Sequence, residues 1–272
     1  MKTLRYEVTG RVARITLSRP ERANAITLEM PRELAECVEE ANLDPAVHAI
    51  ALAGAGKGFC GGYDLVEYAE TAAPNHDPEQ PWDPVVDWQM MSRNLRGFMS
   101  LFHSDKPVAC KVHGFCVAGG TDMALCSDLL VIADDARIGY PPARVWGVPT
   151  SALWAFRVGD QRAKRLLFTG DLIDGSTAHE WGLAIEAPPA AELDDRFEEL
   201  VERVALTPVN QLVMMKLLVN QALYSQGLHA TQALGVYFDG IARHTPEGYD
   251  FQRRAAEGGF KEAVRERDAP YD

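Results

Sequence analysis

The chain has 272 residues, 47% hydrophobic and 24% charged, with a formal net charge of −12. That length supplies a substantial core and allows one or two domains. The acidic balance argues against non-specific nucleic-acid binding, which needs a basic face, while leaving room for a local cationic pocket around one phosphorylated ligand.

Taken in chain order, residues 4–9 and 12–18 alternate about Gly10 and predict a two-stranded hairpin that Arg19-Pro20 ends. Thr27 is placed to cap a helix over 28–42, with Leu34, Val38 and Ala41 at helical spacing. The apolar run 47–53 predicts a strand. It enters Gly54-Ala-Gly-Lys-Gly-Phe-Cys-Gly-Gly-Tyr-Asp-Leu65, where five of nine residues from Gly54 to Gly62 are glycine, and a short helix is expected from Asp64. Residues 71–84 hold four prolines, at 74, 78, 81 and 84, and predict a loop. A long helix over 85–103, a strand over 107–112, a turn at Gly114, a helix near 118–126 and a strand over 128–133 follow. Short strands at 136–139, 171–173 and 184–186 then alternate with helices near 151–158, 160–168 and 176–181. From about 191 helical patterns dominate, at 191–205, 208–226, 228–243 and 260–267. The expected architecture is α/β over 1–190 with an all-helical region over 191–272.

The two glycine turns carry the chemical interest. Glycine at this density lets backbone approach a ligand closely or take positive φ. A second apolar, glycine-containing segment runs Val108-Ala-Cys-Lys-Val-His-Gly-Phe-Cys-Val-Ala-Gly-Gly120. Two strand-to-turn-to-helix units can aim backbone N–H groups at one point, the geometry of an oxyanion hole. Nucleotide motifs fail: Phe59 stands where a dinucleotide fingerprint needs its third glycine, and Gly58 follows Lys57 where a phosphate loop needs Ser or Thr. No His/Glu cluster has metal spacing, so no metal is expected. The five cysteines (37, 60, 110, 116 and 126) form no C-x-x-C pair and read as buried thiols of a reducing compartment. The N-terminus has no apolar signal region, and no apolar stretch is long enough to span a bilayer. A cytoplasmic protein without a membrane role is expected.

Six segments, in order, resemble the crotonase (enoyl-CoA hydratase/isomerase) superfamily. They are Arg19-Pro-Glu-Arg-Ala-Asn-Ala25, Asp44-Pro-Ala-Val-His-Ala-Ile50, Gly58-Phe-Cys-Gly-Gly-Tyr-Asp-Leu65, Lys106-Pro-Val108 with Gly114-Phe-Cys-Val-Ala-Gly-Gly120, Cys126-Ser-Asp128, and Leu167-Phe-Thr-Gly170 with Glu180-Trp-Gly-Leu183. The resemblance covers 4–187 well and the helical tail more loosely. It implies a spiral of ββα turns as the core with the thioester site. It also implies a helical C-terminal oligomerisation region, and a homotrimer or hexamer as the assembly. The implied activity is enolate stabilisation in an acyl-CoA thioester, with hydratase as the expected reaction and coenzyme A present only as part of the substrate.

By position, the resemblance makes Tyr63 and Gly119 the N–H donors to the thioester oxygen. Of the two glutamates that family hydratases use, the first position holds Asp122, one methylene shorter, and the second holds Pro142, which offers no proton. Efficient hydration wants a base for water and an acid at the α-carbon, so isomerisation, decarboxylation or acyl-CoA binding without catalysis stay open beside it. Tyr140, two residues before Pro142, is a candidate proton donor. Arg144, a candidate to neutralise a substrate carboxylate or pair with Asp122, Trp146, Thr150, His103 and His113 are more simply read as structural. Arg22, Lys57, Lys261, Arg265 and Arg267 are candidates for the CoA phosphates, Gly61 for the adenine through its carbonyl, and Leu65 for the same CoA-binding set. Trp82, Trp88, Met90, Met91, Phe98 and Met99 make 66–104 either core packing or the acyl-pocket wall.

Overall fold

The hairpin forms as its alternation predicts. In the computed structural model, which describes residues 1–71 and 81–271, β1 (Leu4–Thr9) pairs antiparallel with β2 (Val12–Leu17), Thr9 opposite Val12. Helix α1 (Met30–Leu43) crosses to β3 (Ala49–Gly54), and α2 (Pro84–His103) to β4 (Val108–Val112). Strand β5 (Phe115–Val117) and α3 (Gly119–Ala124) lead to β6 (Leu129–Ile132). The first sheet runs β1-β2-β3-β4-β6, parallel after its opening hairpin. Residues 49–52 of β3 are all buried, as a parallel strand covered on both faces requires.

Local signals set the helix starts. Thr27 Oγ1 accepts a hydrogen bond from Met30 N–H at 3.1 Å, with Pro31 in the first turn of α1. The side chain of Asp83 accepts from Val85 N–H at 2.9 Å and caps α2, whose first residue is Pro84. Leu34, Cys37, Val38 and Ala41 then bury one face of α1.

A second, smaller sheet joins β5, β7 (Arg137–Gly139) and β8 (Leu172–Asp174), with α4 (Trp154–Val158) and α5 (Asp160–Thr169) between the last two. Helix α6 (Gly175–Glu180) follows β8, and α7 (Leu193–Ala205), α8 (Val209–Ser225), α9 (Leu228–Arg243), α10 (Pro246–Gly258) and α11 (Phe260–Asp268) complete the chain's regular elements.

The structure departs from the sequence reading in three places. The strand expected at 184–186 shrinks to one bridge, Glu186 with Val131. Strand β5 occupies residues read as turn; three residues are too few for an alternation to register. Helix α10 was not expected because Pro246 and Gly248 open it, yet Thr245 Oγ1 caps it by accepting from Gly248 N–H at 3.1 Å. Pro74 and Pro78 of the predicted loop lie outside the described residues.

Helix α8 is inside-out. Its polar residues Lys216 and Asn220 are buried, while Met214, Met215, Leu217, Leu218 and Val219 are each at least half exposed. The Lys216 ammonium donates to the carbonyls of Leu101 (2.8 Å) and Lys106 (3.1 Å) and pairs with Asp128 at 2.8 Å. Asn220 donates to Phe102 O at 2.9 Å. These groups meet the last carbonyls of α2, where a cation and donors are favoured.

Candidate active site

Two backbone turns converge at one point. In the first, Gly61 N–H donates to Ala23 O (2.9 Å), Ile26 N–H to Gly62 O (2.8 Å) and Asp64 N–H to Ile26 O (2.9 Å). Successive residues of an extended segment direct their backbone groups to opposite sides, so Tyr63 N–H faces away from Ile26. The turns are tied together by Phe59 N–H on Phe115 O (2.9 Å) and Val117 N–H on Cys60 O (3.0 Å). Gly119 opens α3, where the first N–H groups have no intrahelical partner. Among the described residues, neither Tyr63 N–H nor Gly119 N–H is given to an acceptor.

Glycine is what lets the turns approach. Gly62 has φ of +99°, and a Cβ there would stand 2.8 Å from Ala118 Cβ and 3.6 Å from Gly119 N. A Cβ on Gly119 would stand 2.6 Å from the Tyr63 ring. Ala118 itself holds φ +54° and ψ −131°, a conformation costing about 1–3 kcal/mol, and is pinned by its N–H on Gly139 O at 3.1 Å.

These turns form one wall of a cavity of about 310 Å³ that Gly61, Tyr63, Leu65, Gly119, Tyr140 and Pro142 also line. Met90 and Met91 of α2 join the lining, whereas Phe98 and Met99 are buried in the core and Trp88 is exposed. Of these residues Met90 and Met91 are on the cavity lining, Met91 while packed in the core, and Phe98, Met99 and Trp88 are not.

Asp122 is fully buried and is not on the cavity wall. Its Oδ1 accepts from Ser151 N–H (2.9 Å) and Ser151 Oγ–H (2.7 Å), and its Oδ2 has no hydrogen-bond partner among the described residues. Burial pushes its carboxyl up to about 7, outweighing the Ser151 hydrogen bonds. Tyr140 lines the cavity, and burial, with smaller contributions from Asp122 and Asp239, pushes its phenol well above the ordinary range. A phenol so placed keeps its proton. The Tyr63 phenol is pushed the same way by burial; its hydroxyl makes no hydrogen bond of normal geometry, although Asn94 lies beside it.

Other sequence candidates fall elsewhere. Arg144 pairs with Asp268 (3.0 Å) and Asp171 (3.6 Å), donates to Thr169 O and covers the Tyr271 ring, so its pairing with Asp122 is corrected. His103 meets the Tyr224 hydroxyl, and His113 Nε2 lies 2.8 Å from Gly56 O. Thr150 is buried and Trp146 lines the cavity. Among the cations, Arg22 is half exposed and 3.5 Å from Asp64, whose other oxygen Arg19 holds at 3.0 Å. Lys57 and Lys261 are exposed. Arg265 pairs with Glu262, while Arg267 lines the cavity and holds Asp268 at 2.8 Å.

Sequence reasoning missed the charged wall from the helical region. Asp239 and Arg243 of α9 both line the cavity and pair with each other. Arg243 also donates to Asp87 Oδ1 of α2 at 2.8 Å, and Asp87 Oδ2 accepts from Trp82 Nε1–H at 2.6 Å and lies 3.5 Å from His244 Nδ1. Asp239 Oδ1 accepts from Val148 N–H at 3.2 Å. Burial pushes the Asp239 carboxyl above its ordinary range against the opposing pull of Arg243. The one signal was an acid and a base four residues apart on a helix, which commonly marks a solvated surface pair.

Residues 7–245 match the sequence profile of the family described as enoyl-CoA hydratase/isomerase. A solved structure of an enoyl-CoA hydratase from Mycobacterium smegmatis superposes with a TM-score of 0.96 at 60% identity, covering 99% of this chain and 94% of that one. The 1,2-epoxyphenylacetyl-CoA isomerase of Escherichia coli is 30% identical over 82% of this chain and 83% of its own length. The hydroxycinnamoyl-CoA hydratase-lyase of Pseudomonas fluorescens is 31% identical over 75% of this chain and 72% of its own.

Proposed function

Because the chain belongs to the enoyl-CoA hydratase/isomerase (crotonase) family, we propose that its cavity binds an acyl-CoA thioester and stabilises the enolate formed from it. The observation that carries this reading is the pair of unclaimed N–H groups on Tyr63 and Gly119, brought together by turns that tolerate no extra Cβ at 62 or 119. The thioester oxygen sits between them and gains negative charge as the enolate forms, so both hydrogen bonds strengthen along the reaction. One such donor is worth about 2.7–4 kcal/mol of barrier. Tyr140 donates from the cavity wall, and Asp122, buried off that wall, bears on it only through its charge.

Gly61 and Leu65 lie on the CoA side, the Gly61 carbonyl accepting from the adenine, while Arg22, Lys57 and Lys261 meet the phosphates. Hydration of a 2-enoyl thioester is the first assignment. Isomerisation by proton transfer is the second, favoured by Pro142 on the wall where a glutamate would supply the second carboxylate. The inside-out α8 supports a homotrimer or hexamer built through residues 191–272, since its exposed apolar face carries no charge between Val209 and Ser225 other than buried Lys216. Five buried free thiols support a reducing, cytoplasmic setting.

Crotonyl-CoA and a 3-enoyl-CoA, each incubated with the protein, separate the assignments. Hydration adds the mass of water to crotonyl-CoA. Isomerisation leaves the mass unchanged and creates the conjugated thioester chromophore from the 3-enoyl compound. Neither product, with a raised melting temperature in both thioesters, would leave acyl-CoA binding alone.

A further inference from the structure

The turn at Pro142 lacks the carboxylate, and another one arrives beside it from a distant part of the chain. Gly147 packs against that turn: a Cβ on it would stand 2.8 Å from Pro142 Cβ and 3.5 Å from Tyr140 Oη. The next residue, Val148, donates its N–H to Asp239 Oδ1 at 3.2 Å. Asp239 therefore reaches the same wall as Pro142 and Tyr140, and it lines the cavity that Tyr63 and Gly119 line. We propose that Asp239 of α9 is the catalytic acid–base residue of this enzyme, taking and returning the α-proton of the bound acyl thioester.

This rests on the thioester reading above. In the step, the Cα–H bond breaks and its proton passes to a carboxylate oxygen of Asp239. The bonding pair becomes the enolate double bond, and the carbonyl π pair moves to the oxygen held by Tyr63 and Gly119 N–H. Once the carboxyl proton on Asp239 has exchanged with solvent, return of a solvent-derived proton to the same carbon gives exchange; return of a proton to the conjugated γ-carbon of an enoyl thioester gives isomerisation.

The surroundings suit a base. Asp239 keeps lone pairs beyond those used by Val148 and Arg243. Arg243 divides its charge between Asp239 and Asp87, so the two carboxylates outnumber the guanidinium. Its Nε–H has no partner among the described residues. Burial raises the proton affinity of Asp239 against the opposing pull of Arg243 and the Val148 N–H. A buried ion pair that merely locks α9 to α2 would make the same contacts, so the test must read chemistry apart from folding.

Butanoyl-CoA and phenylacetyl-CoA in deuterium oxide provide it, with α-deuteration followed by mass and binding by thermal shift. Wild type should bind and incorporate deuterium. D239N, which keeps the shape and leaves Arg243 paired with Asp87, should bind with a similar thermal shift and exchange at least about 100-fold more slowly. Where D239N does not fold, D239E decides: it restores the ion pair but displaces the base by a methylene, and should exchange at least about tenfold more slowly. Exchange within threefold of wild type in a folded D239N, or in D239E where D239N does not fold, overturns the role of Asp239 and leaves the thioester site standing. Wild type that shows no thermal shift with either thioester overturns the site reading itself; binding without exchange overturns the enolate chemistry and this proposal with it.

Discussion

Asp122 keeps its proton far above the normal range because burial opposes its charge more strongly than Ser151 supports it. A neutral carboxyl costs little there, whereas a charged one leaves Oδ2 buried without a hydrogen bond of normal geometry, although the Thr150 backbone lies beside the carboxyl. The folded-state value is about 7 against an ordinary value of 3.8. Below about pH 3 both folded and unfolded chains hold the proton and no penalty exists. As pH rises toward 7 the unfolded chain releases it first, so folding becomes less favourable, by at most about 4 kcal/mol. D122N mimics the neutral acid and should remove this part of the pH dependence. Urea unfolding at about pH 4.5 and 7.5 should show the wild type losing more stability than D122N, by roughly 2–4 kcal/mol. Equal losses would mean that Asp122 ionises freely in the folded protein. At this scale the close approach of the turns at Tyr63 and Gly119 was legible because it depends on glycines adjacent in sequence, whereas the donor roles rest on the family resemblance. The place of Asp239 was not legible, because it depends on how a helix docks on Val148, 91 residues earlier in the chain.

Helix α8 docks with two buried polar groups, Lys216 and Asn220, beside half-buried Leu223 and Tyr224. Lys216 closes the carbonyl end of α2 and neutralises Asp128, which itself accepts from Val108 N–H at 2.7 Å and so ties β4 to the turn after α3. Burial pulls the Lys216 ammonium below its ordinary range and pushes the Asp128 carboxyl up, each opposed by the other's charge. Truncation of one partner leaves the other charge buried. K216M should therefore lower stability by about 3 kcal/mol, read as a reduced urea midpoint, although its side chain is more hydrophobic. A change below about 0.5 kcal/mol would show that the pair only offsets its own desolvation. Helical periodicity placed α8 within one residue at each end but said nothing of its orientation. An apolar stripe is normally read as the buried face, and here it is the outer one. Elements with long apolar runs or explicit caps, such as β3 and α2, were legible; β5 and α10, three residues long or glycine-rich at the start, were not.

At the scale of the whole molecule, the outer surfaces of α8 and α9 form the exposed apolar area that calls for an assembly. Leu217, Leu218 and Val219 are 59–69% exposed, and Leu234, Tyr237 and Phe238 of α9 about half exposed. Water contact at so many adjacent apolar side chains is unfavourable, and a second copy removes it in the proposed trimer or hexamer. Sedimentation should give a species of at least three times 30.0 kDa for the wild type. L218E places a charge in that contact without touching the core and should sediment as a 30.0 kDa monomer with unchanged far-ultraviolet circular dichroism. A wild-type monomer would refute the assembly. The consequence extends to the site, because Tyr237 and Phe238 immediately precede Asp239 and α9 carries both the outer contact and the inner carboxylate. Removing the partner frees α9 on its outer side, where no other subunit then holds it against Val148. The monomeric L218E should accordingly keep its folded core yet lose proton exchange more than thioester binding, since the carboxylate's reach is more sensitive to a shift of about 1 Å than the cavity is.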